Sequence, residues 1–302
     1  MQEILDKIQL EIESYFGEGK VADYIPELAK IDPKQFAMTV RTIDGQEFST
    51  GDYTKKFSIQ SISKVFILTM AMRYLDKKLW TRVGKEPSGT PFNSLIQLES
   101  EHGIPRNPFI NSGALVTTDI ILNSGNDALK DIVNFVRTLS GNTKIDYDYE
   151  VANSEFEHSD RNAALTHFMK SFGNIDSNIE DLLDVYCHHC SLALSTQDLT
   201  RAFMYLANNG TNPSTGDTII SPLETKRINA LMMTCGLYDN VGEFAYQVGL
   251  PGKSGVGGGI IAVLPRKYVV SVWSPALNKS GNSLIGTKAL QLFTEYSEDS
   301  IF

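Results

Sequence analysis

The sequence is poor in cysteine and has no long apolar run. Its three cysteines are an odd and low number, typical of a protein from a reducing compartment: Cys187, Cys190 and Cys235. The most apolar stretch, VFILTMAM from Val65 to Met72, is far shorter than the roughly 20 residues of a membrane-spanning helix, so it predicts a buried core helix. The N-terminus is rich in acidic residues and shows no secretory signal. We therefore expect a cytoplasmic protein that does not interact with membranes.

Positive charge is also scarce. The chain carries 27 lysines and arginines against 36 acidic residues, a formal net charge of −9, and it has no dense basic patch with interleaved aromatics. Nucleic acid is therefore not expected as a partner. With 302 residues, of which 42% are hydrophobic, the chain can bury a large core.

Metal-binding patterns are weak. The motif CHHC at 187–190 offers thiols and imidazoles, but a structural zinc takes a second pair of ligands at defined spacing, and none follows. The surrounding DLLDVYCHHCSLAL is typical of an amphipathic helix. We therefore predict helix packing here, and neither a metal nor a cofactor.

Hydrophobic periodicity predicts strands at both ends of the chain. An apolar stripe of period 3.6 indicates an N-terminal helix: Leu5, Ile8, Ile12 and Tyr15. The alternating FAMTVRTIDGQEFSTGD predicts a hairpin whose tight turn is Asp44-Gly45. Near the other end, GGIIAVLPRKYVVSVWSPAL predicts two further strands, and SLIGTKALQLFTEYS predicts a closing helix.

This order of elements predicts an α+β fold in the broad α/β class. We expect an antiparallel sheet built from both chain ends and flanked by helices, with a helical subdomain inserted. The sheet-containing part would comprise 1–60 and 233–302, and the mainly helical part 61–232, within a single domain of residues 1–302. Sites in such two-part folds tend to lie where the parts meet.

The stretch FSIQSISKVF, residues 57–66, places a lysine three residues after a serine in apolar surroundings. On a helix, Ser61 and Lys64 would share a face, which lets the amine reach the hydroxyl. A serine nucleophile needs a base, and a lysine can serve when burial lowers its pKa and keeps it neutral. By itself the pair leaves two alternatives open: an activated nucleophile, or an ordinary lysine that extends from a helix end into solvent.

Two later motifs favour the catalytic alternative. LYDN holds Tyr238 and Asn240 in a Tyr-x-Asn arrangement, and Lys253-Ser254-Gly255 precedes a glycine-rich stretch and a strand. The order S-x-x-K, S/Y-x-N, K-[ST]-G resembles the constellation of β-lactamases and penicillin-binding proteins. The chain contains no G-x-S-x-G motif, so the sequence does not support an α/β-hydrolase. We therefore predict a serine enzyme that catalyses acyl transfer.

The whole chain resembles the serine-dependent glutaminases of the β-lactamase-like fold, in their bacterial short form. Several segments carry this resemblance in the same order from end to end: VADYIPELA (21–29), FSIQSISKVF (57–66), NPFINSGAL (107–115), SEFEHSDRN (154–162), VYCHHCS (185–191), CGLYDNVGEFA (235–245) and GKSGVGGGI (252–260). The resemblance implies hydrolysis of L-glutamine to L-glutamate and ammonia.

The resemblance also implies roles for individual residues. Ser61 would be the nucleophile, Lys64 its base, and Tyr238 a group that helps to protonate the leaving ammonia. Substrate contacts are implied at Tyr24, Gln60, Ser61, Asn111, Glu155, Asn162, Tyr186, Tyr238 and Val256. The backbone N–H groups of the residues at 61 and 256 would hold the oxyanion.

These residue types suit free glutamine. Glu155 can pair with the α-ammonium, and Asn111, Asn162 and a tyrosine hydroxyl can donate to the α-carboxylate. Glycines beside Val256 let the backbone approach a ligand closely. We expect L-glutamine as the small-molecule partner and, because relatives form them, a homodimer or homotetramer.

Two alternatives stay open. A penicillin-binding or β-lactamase-type enzyme shares the motifs, but its substrates lie outside the cytoplasm, where a chain without an export signal would not meet them. A non-catalytic amino-acid-binding protein on the same scaffold would be expected to lack the serine or the lysine, and both are present.

Overall fold

A computed structural model describes residues 1–88 and 95–302. Its main sheet is five-stranded and antiparallel, in the order β2-β1-β8-β7-β6. These strands are β1 (Ala37–Thr42), β2 (Glu47–Gly51), β6 (Gly252–Ser254), β7 (Gly259–Leu264) and β8 (Tyr268–Trp273). The N-terminal hairpin pairs with the C-terminal strands through β1 and β8, which confirms the prediction of a sheet built from both chain ends. The predicted Asp44-Gly45 turn joins β1 to β2, with Gly45 at φ 92°.

Helices surround this sheet and fill the middle of the sequence. They are α1 (Gln2–Ile12), α2 (Pro26–Ala29), α3 (Ser63–Leu75), α4 (Leu95–Ser100), α5 (Asn111–Leu122), α6 (Ala128–Ser140), α7 (Tyr149–Glu157), α8 (Asp160–Ser171), α9 (Ile179–Cys190), α10 (Thr196–Ala207), α11 (Pro222–Cys235), α12 (Val241–Gln247) and α13 (Leu284–Ser297). Within the described parts of the chain, no helix combines the length and apolarity needed to cross a membrane.

The sheet separates two hydrophobic cores. Along β7, Ile261 and Val263 pack with the helices from the middle of the chain, whereas Ile260 and Ala262 pack with α1 and α13. This alternation follows from the two-residue period of a strand. Because helices cover both faces, β7 and β8 are buried along their whole length. The fold is therefore layered, with a helical layer on each side of the sheet.

A small second sheet was not predicted. It consists of β3 (Phe57–Ser58), β4 (Asp146–Tyr147) and β5 (Leu192–Leu194), with β5 in the centre. Both pairings are antiparallel, and Phe57 lies opposite Leu194. Strands of two or three residues are too short to show a period. The consequence for function is that β3 anchors the chain just before Ser61.

The predicted core helix is α3. Every residue from Ser63 to Met72 is buried, including Lys64. The helix packs most extensively against α5 and also contacts α9. Ser61 lies just before its N-terminus, and the candidate site is found there.

Candidate active site

One cavity brings together the residues predicted from the sequence. Its volume is about 490 Å³, and it is lined by every predicted site residue except Lys64: Tyr24, Gln60, Ser61, Asn111, Glu155, Asn162, Tyr186, Tyr238 and Val256. These side chains come from distant parts of the sequence. Lys64 lies beneath the lining, where it bonds to Asn111.

Ser61 lies in a tight turn rather than on a helix. It belongs to a 3₁₀ turn, Gln60–Ile62, and α3 begins only at Ser63. Gln60 has φ 51°, in the left-handed region that side chains disfavour. The expectation that Ser61 and Lys64 lie on one helix is therefore corrected: the serine precedes the helix that carries the lysine. Ser61 still lies next to the start of that helix, the end at which the helix dipole is positive.

Lys64 is completely buried. Its relative exposure is 0%, and its Nζ donates to Asn111 Oδ1 at 2.7 Å and to the Phe109 carbonyl oxygen at 3.4 Å. Burial lowers the pKa of Lys64 to about 8, although the charges of Cys190 and Glu155 oppose this shift. A substantial fraction of the amine is therefore neutral near pH 8 and can accept a proton.

Tyr238 hydrogen-bonds with Ser61. It begins a second 3₁₀ turn, Tyr238–Asn240, and its hydroxyl oxygen is buried. Burial raises the pKa of Tyr238 to about 12, and hydrogen bonding with Ser61 and Ser254 opposes that rise. The tyrosine is therefore a neutral hydroxyl that shares a hydrogen-bonding network with the nucleophile.

The K-S-G motif lies behind Tyr238. It was expected to lead into a strand, but Lys253 and Ser254 themselves belong to β6. Lys253 is fully buried, its Nζ donates to the carbonyl oxygen of Ser254 at 2.6 Å, and it lies 4.9 Å from the centre of the Tyr238 ring. Burial holds its pKa well below the usual value, and the charge of Lys64 adds to the effect.

A buried carboxyl group also lines the cavity. Glu155, in α7, is 8% exposed and accepts from Gln60 Nε2 at 3.3 Å. Burial raises the pKa of Glu155 to about 7, while the Gln60 hydrogen bond and the charge of Lys64 oppose the rise. Nearby, Asn111 Nδ2 donates to Asn162 Oδ1 at 3.0 Å. This part of the cavity wall therefore presents a carboxyl group and two side-chain amides. These groups suit a ligand that carries both a positive and a negative charge.

Glycine allows one backbone segment to approach the nucleophile. A Cβ atom on Gly255 would come within 2.4 Å of the Ile59 carbonyl oxygen and 3.3 Å of the Ser61 nitrogen. Only glycine fits there without displacing the backbone. The close approach places Val256 in the cavity wall beside Ser61.

Comparison with known proteins identifies the family. A family model described as Glutaminase matches residues 19–302. The chain belongs to the glutaminase family. It is 53% identical over 302 residues to a glutaminase of Aliarcobacter butzleri, with 100% of this chain and 99% of the relative covered. It is 54% identical over 302 residues to a glutaminase of Aliivibrio fischeri, with the same coverage.

Solved structures of glutaminases share the fold. The probable glutaminase ybaS matches with a TM-score of 0.94 at 35% identity, covering 100% of this chain and 97% of that one. A probable glutaminase of Bacillus subtilis matches with a TM-score of 0.91 at 31% identity, covering 99% and 97%. These matches confirm the predicted family and fold class. They favour the glutaminase prediction over a penicillin-binding enzyme.

Some lining residues of this glutaminase-family cavity were not predicted. They are Ile25, Glu157, His158, Asp160, Arg161 and Cys190. All six lie within segments quoted above, four of them in SEFEHSDRN. Proximity in sequence to a predicted site residue was therefore the signal that could have identified them. Cys190 had been assigned to helix packing. It does pack, with 1% exposure, but it also hydrogen-bonds Glu155 through its side chain, which helps to offset the rise in the carboxyl's pKa.

The CHHC motif lies at the end of α9. Cys187 and Cys190 are buried free thiols, and His188 Nδ1 bonds to the carbonyl oxygen of Asp184 at 2.9 Å. Among the residues described by the structure, no three His, Cys, Asp or Glu side chains are grouped so that they could hold a metal ion.

Proposed function

We propose that this protein hydrolyses L-glutamine to L-glutamate and ammonia through a Ser61 acyl-enzyme. The observation that carries the proposal is the burial of Lys64, whose pKa falls to about 8, beneath a cavity that exposes Ser61. Family membership supports glutamine as the substrate. The geometry supports the assignment of roles.

Acylation begins with a proton transfer. The neutral amine of Lys64 takes the proton of the Ser61 hydroxyl, and the oxygen attacks the side-chain amide carbon of glutamine. The carbonyl oxygen becomes an oxyanion, which the N–H groups of Ser61 and Val256 stabilise. One such donor contributes about 3–4 kcal/mol to the transition state.

Release of ammonia needs a second proton transfer. When the carbon–nitrogen bond breaks, the leaving nitrogen takes a proton from the Tyr238 hydroxyl, and Lys64 returns the serine proton to the tyrosine. The high pKa of Tyr238, about 12, suits a group that donates and is promptly reprotonated. Water then attacks the glutamyl ester by the reverse of these steps and releases L-glutamate with a restored Ser61.

Other lining residues of the cavity recognise the α-amino acid end of the substrate. The ionised carboxylate of Glu155 pairs with the α-ammonium, and binding of that cation favours ionisation of a carboxyl whose pKa is otherwise about 7. Asn111, Asn162 and the hydroxyl of Tyr24 donate to the α-carboxylate. Gln60 and Tyr186 complete the proposed substrate contacts.

The proposal is tested by a coupled ammonia assay with L-glutamine on purified wild type and on Ser61→Ala. We expect turnover by the wild type and nearly none by the variant. Glutamine binding by the wild type without ammonia release would support an amino-acid-binding protein instead. Hydrolysis of a chromogenic cephalosporin would support a penicillin-binding or β-lactamase-type enzyme.

We also propose that residues 1–302 form one catalytic domain that acts in the cytoplasm as a homodimer or homotetramer. Three buried free thiols suit a reducing compartment. Exposed apolar side chains such as Ile96 and Tyr246 can contribute to contacts between subunits. Light scattering across a range of concentrations tests the assembly, and a monomeric mass throughout would contradict it. More than one calorimetric unfolding transition would contradict the single domain.

A further inference from the structure

His189 connects the end of α9 to the turn that carries Ser61. Its side chain is fully buried. Nδ1 lies 2.8 Å from Ser63 Oγ, and Nε2 lies 3.2 Å from Thr118 Oγ1. The Ser63 hydroxyl in turn donates to the carbonyl oxygen of Gln60 at 2.7 Å. A chain of hydrogen bonds therefore runs from α9 to the residue that precedes Ser61.

Both nitrogens of the His189 ring have a hydroxyl partner. Burial lowers the pKa of His189 to about 3, so the ring is neutral and has one N–H group. Each hydroxyl partner also donates to a backbone carbonyl oxygen: Ser63 to Gln60 at 2.7 Å, and Thr118 to Ala114 at 2.8 Å. The contact of Nδ1 with Ser63 is therefore the one that leads to Gln60.

The same end of α9 also holds the side chain of Gln60. Ser58 Oγ donates to the carbonyl oxygen of Cys190 at 3.0 Å, and Gln60 Nε2 donates to Ser58 Oγ at 2.9 Å. Gln60 is therefore tied to α9 twice. One tie runs from its backbone carbonyl through Ser63 to His189, and the other from its side chain through Ser58 to Cys190.

Gln60 needs such support. Its φ of 51° is disfavoured for a residue with a side chain and persists only where the surroundings enforce it. The next residue is Ser61, so a change in this conformation would move the nucleophile relative to Lys64 and the cavity.

We propose that His189 and Ser63 are positioning residues that hold Gln60 in its left-handed conformation and thereby aim the Ser61 hydroxyl at the substrate carbon. Neither residue lines the cavity, so both act through Gln60. The inference deepens the proposed function and rests on it, because it requires Ser61 to be the nucleophile.

A pair of substitutions at position 189 separates the two hydrogen bonds of the ring. An asparagine nitrogen is as many bonds from Cβ as Nδ1 is, whereas a glutamine nitrogen corresponds to Nε2. His189→Asn therefore keeps a donor for Ser63, and His189→Gln keeps only the contact with Thr118. We expect kcat to fall about tenfold or more in His189→Gln, because small displacements of reacting groups are costly, and to stay within about threefold in His189→Asn.

Further variants complete the experiment. Ser63→Ala should lower kcat as His189→Gln does, and the double variant should be little worse than either, because the two residues act as one chain. His188→Asn, a neighbouring histidine whose Nδ1 bonds to its own helix, should keep the kcat of the wild type. Calorimetric binding of L-glutamate should change less than about threefold in all variants, since the proposed partners of its α-ammonium and α-carboxylate, Glu155, Asn111 and Asn162, lie on α7, α5 and α8.

The outcomes distinguish this inference from the proposed function. Equal kcat values for His189→Asn and His189→Gln, or a wild-type kcat for Ser63→Ala, would overturn the positioning role. Equal losses of kcat and of glutamate binding would do the same, since they indicate a general structural effect. If His189→Gln does not fold, Ser63→Ala and its comparison with His188→Asn decide. Full turnover by Ser61→Ala would instead overturn the proposed function.

Discussion

The inner end of the cavity and its mouth differ in how much water they admit. At the inner end, Ser61 is 8% exposed and Lys64 is 0% exposed. At the mouth, Tyr24 is 56% exposed and Arg161 is also exposed. Burial at the inner end keeps an amine neutral at a pH where a solvated lysine would be charged. A solvated mouth lets a charged amino acid enter and leave without losing its whole hydration shell at once.

Glu155 belongs to neither extreme. It is as buried as Ser61, and burial raises its pKa to about 7, yet its proposed partner is a charged ammonium. The contrast between the two ends therefore predicts large effects of substitution at the inner end, intermediate effects at Glu155 and small effects at the mouth.

The largest effect is expected at the inner end. Lys64→Met keeps an apolar chain of similar length but removes the base, so kcat/KM should fall about 10³-fold or more. Ser61→Ala should be at least as severe, and the double variant little worse than either single variant, because nucleophile and base act as one unit. Ammonia release under steady-state conditions measures all three.

Lys77→Met, an exposed lysine after the same helix, is the matched control and should leave kcat/KM unchanged. Losses that multiply in the Ser61 and Lys64 double variant would show that the two residues do not cooperate. Such a result would contradict the proposal that Ser61 and Lys64 act together at the inner end of the cavity.

An intermediate effect is expected at Glu155. Glu155→Gln keeps the shape but loses the charged partner of the α-ammonium, so kcat/KM for glutamine should fall about tenfold to a hundredfold. Glu157→Gln is the matched control, because Glu157 also lines the cavity but is exposed, and its effect should be less than about threefold.

Two other amides sharpen this prediction. Asparagine is one methylene shorter, so its amide would fall short of Ser61 and should be a very poor substrate for both enzymes. Glutaric acid monoamide lacks the α-ammonium and should be hydrolysed poorly by the wild type, with less discrimination against it by Glu155→Gln. Discrimination that is the same in both enzymes would exclude Glu155 as the ammonium partner.

The pH dependence links the inner end to Glu155. In our proposal, Lys64 acts when deprotonated and Glu155 acts when ionised; their pKa values are about 8 and about 7. Both active forms gain population as pH rises, so kcat/KM should increase up to a plateau above about pH 8. Below it, each required deprotonation changes kcat/KM about tenfold per pH unit. In Glu155→Gln, the slope of log(kcat/KM) against pH should be smaller by one below pH 7. An unchanged profile would contradict the prediction that Glu155 must be ionised.

The smallest effect is expected at the mouth. Tyr24→Phe removes one hydroxyl, which donates to the substrate carboxylate in our proposal, from a residue that is 56% exposed. A single hydrogen bond contributes a modest net free energy, so KM should rise only about twofold to tenfold with little change in kcat. A loss of kcat as large as that of Lys64→Met would show that the mouth takes part in the chemistry. It would contradict the functional difference that we propose between the mouth and the inner end.

Local patterns in the sequence predicted much of the fold. The Asp44-Gly45 hairpin and the paired strands β7 and β8 carry alternation or turn chemistry within a few residues. The small sheet of β3, β4 and β5 was missed because its strands are held by long-range pairing. The boundary of α3 was also misjudged at Ser61, since periodicity does not reveal a 3₁₀ turn with a left-handed residue.

The sequence by itself determined which candidate catalytic residue types are present, in which order, and that Lys64 follows Ser61 within an apolar segment. Only the tertiary structure decided that nine predicted residues from distant segments line one cavity, that Lys64 is completely buried beneath it, and that His189 reaches the nucleophile turn through Ser63. The physical reason is that pKa and hydrogen bonding depend on what surrounds a group in three dimensions. Those surroundings come from helices and strands packed across the whole chain.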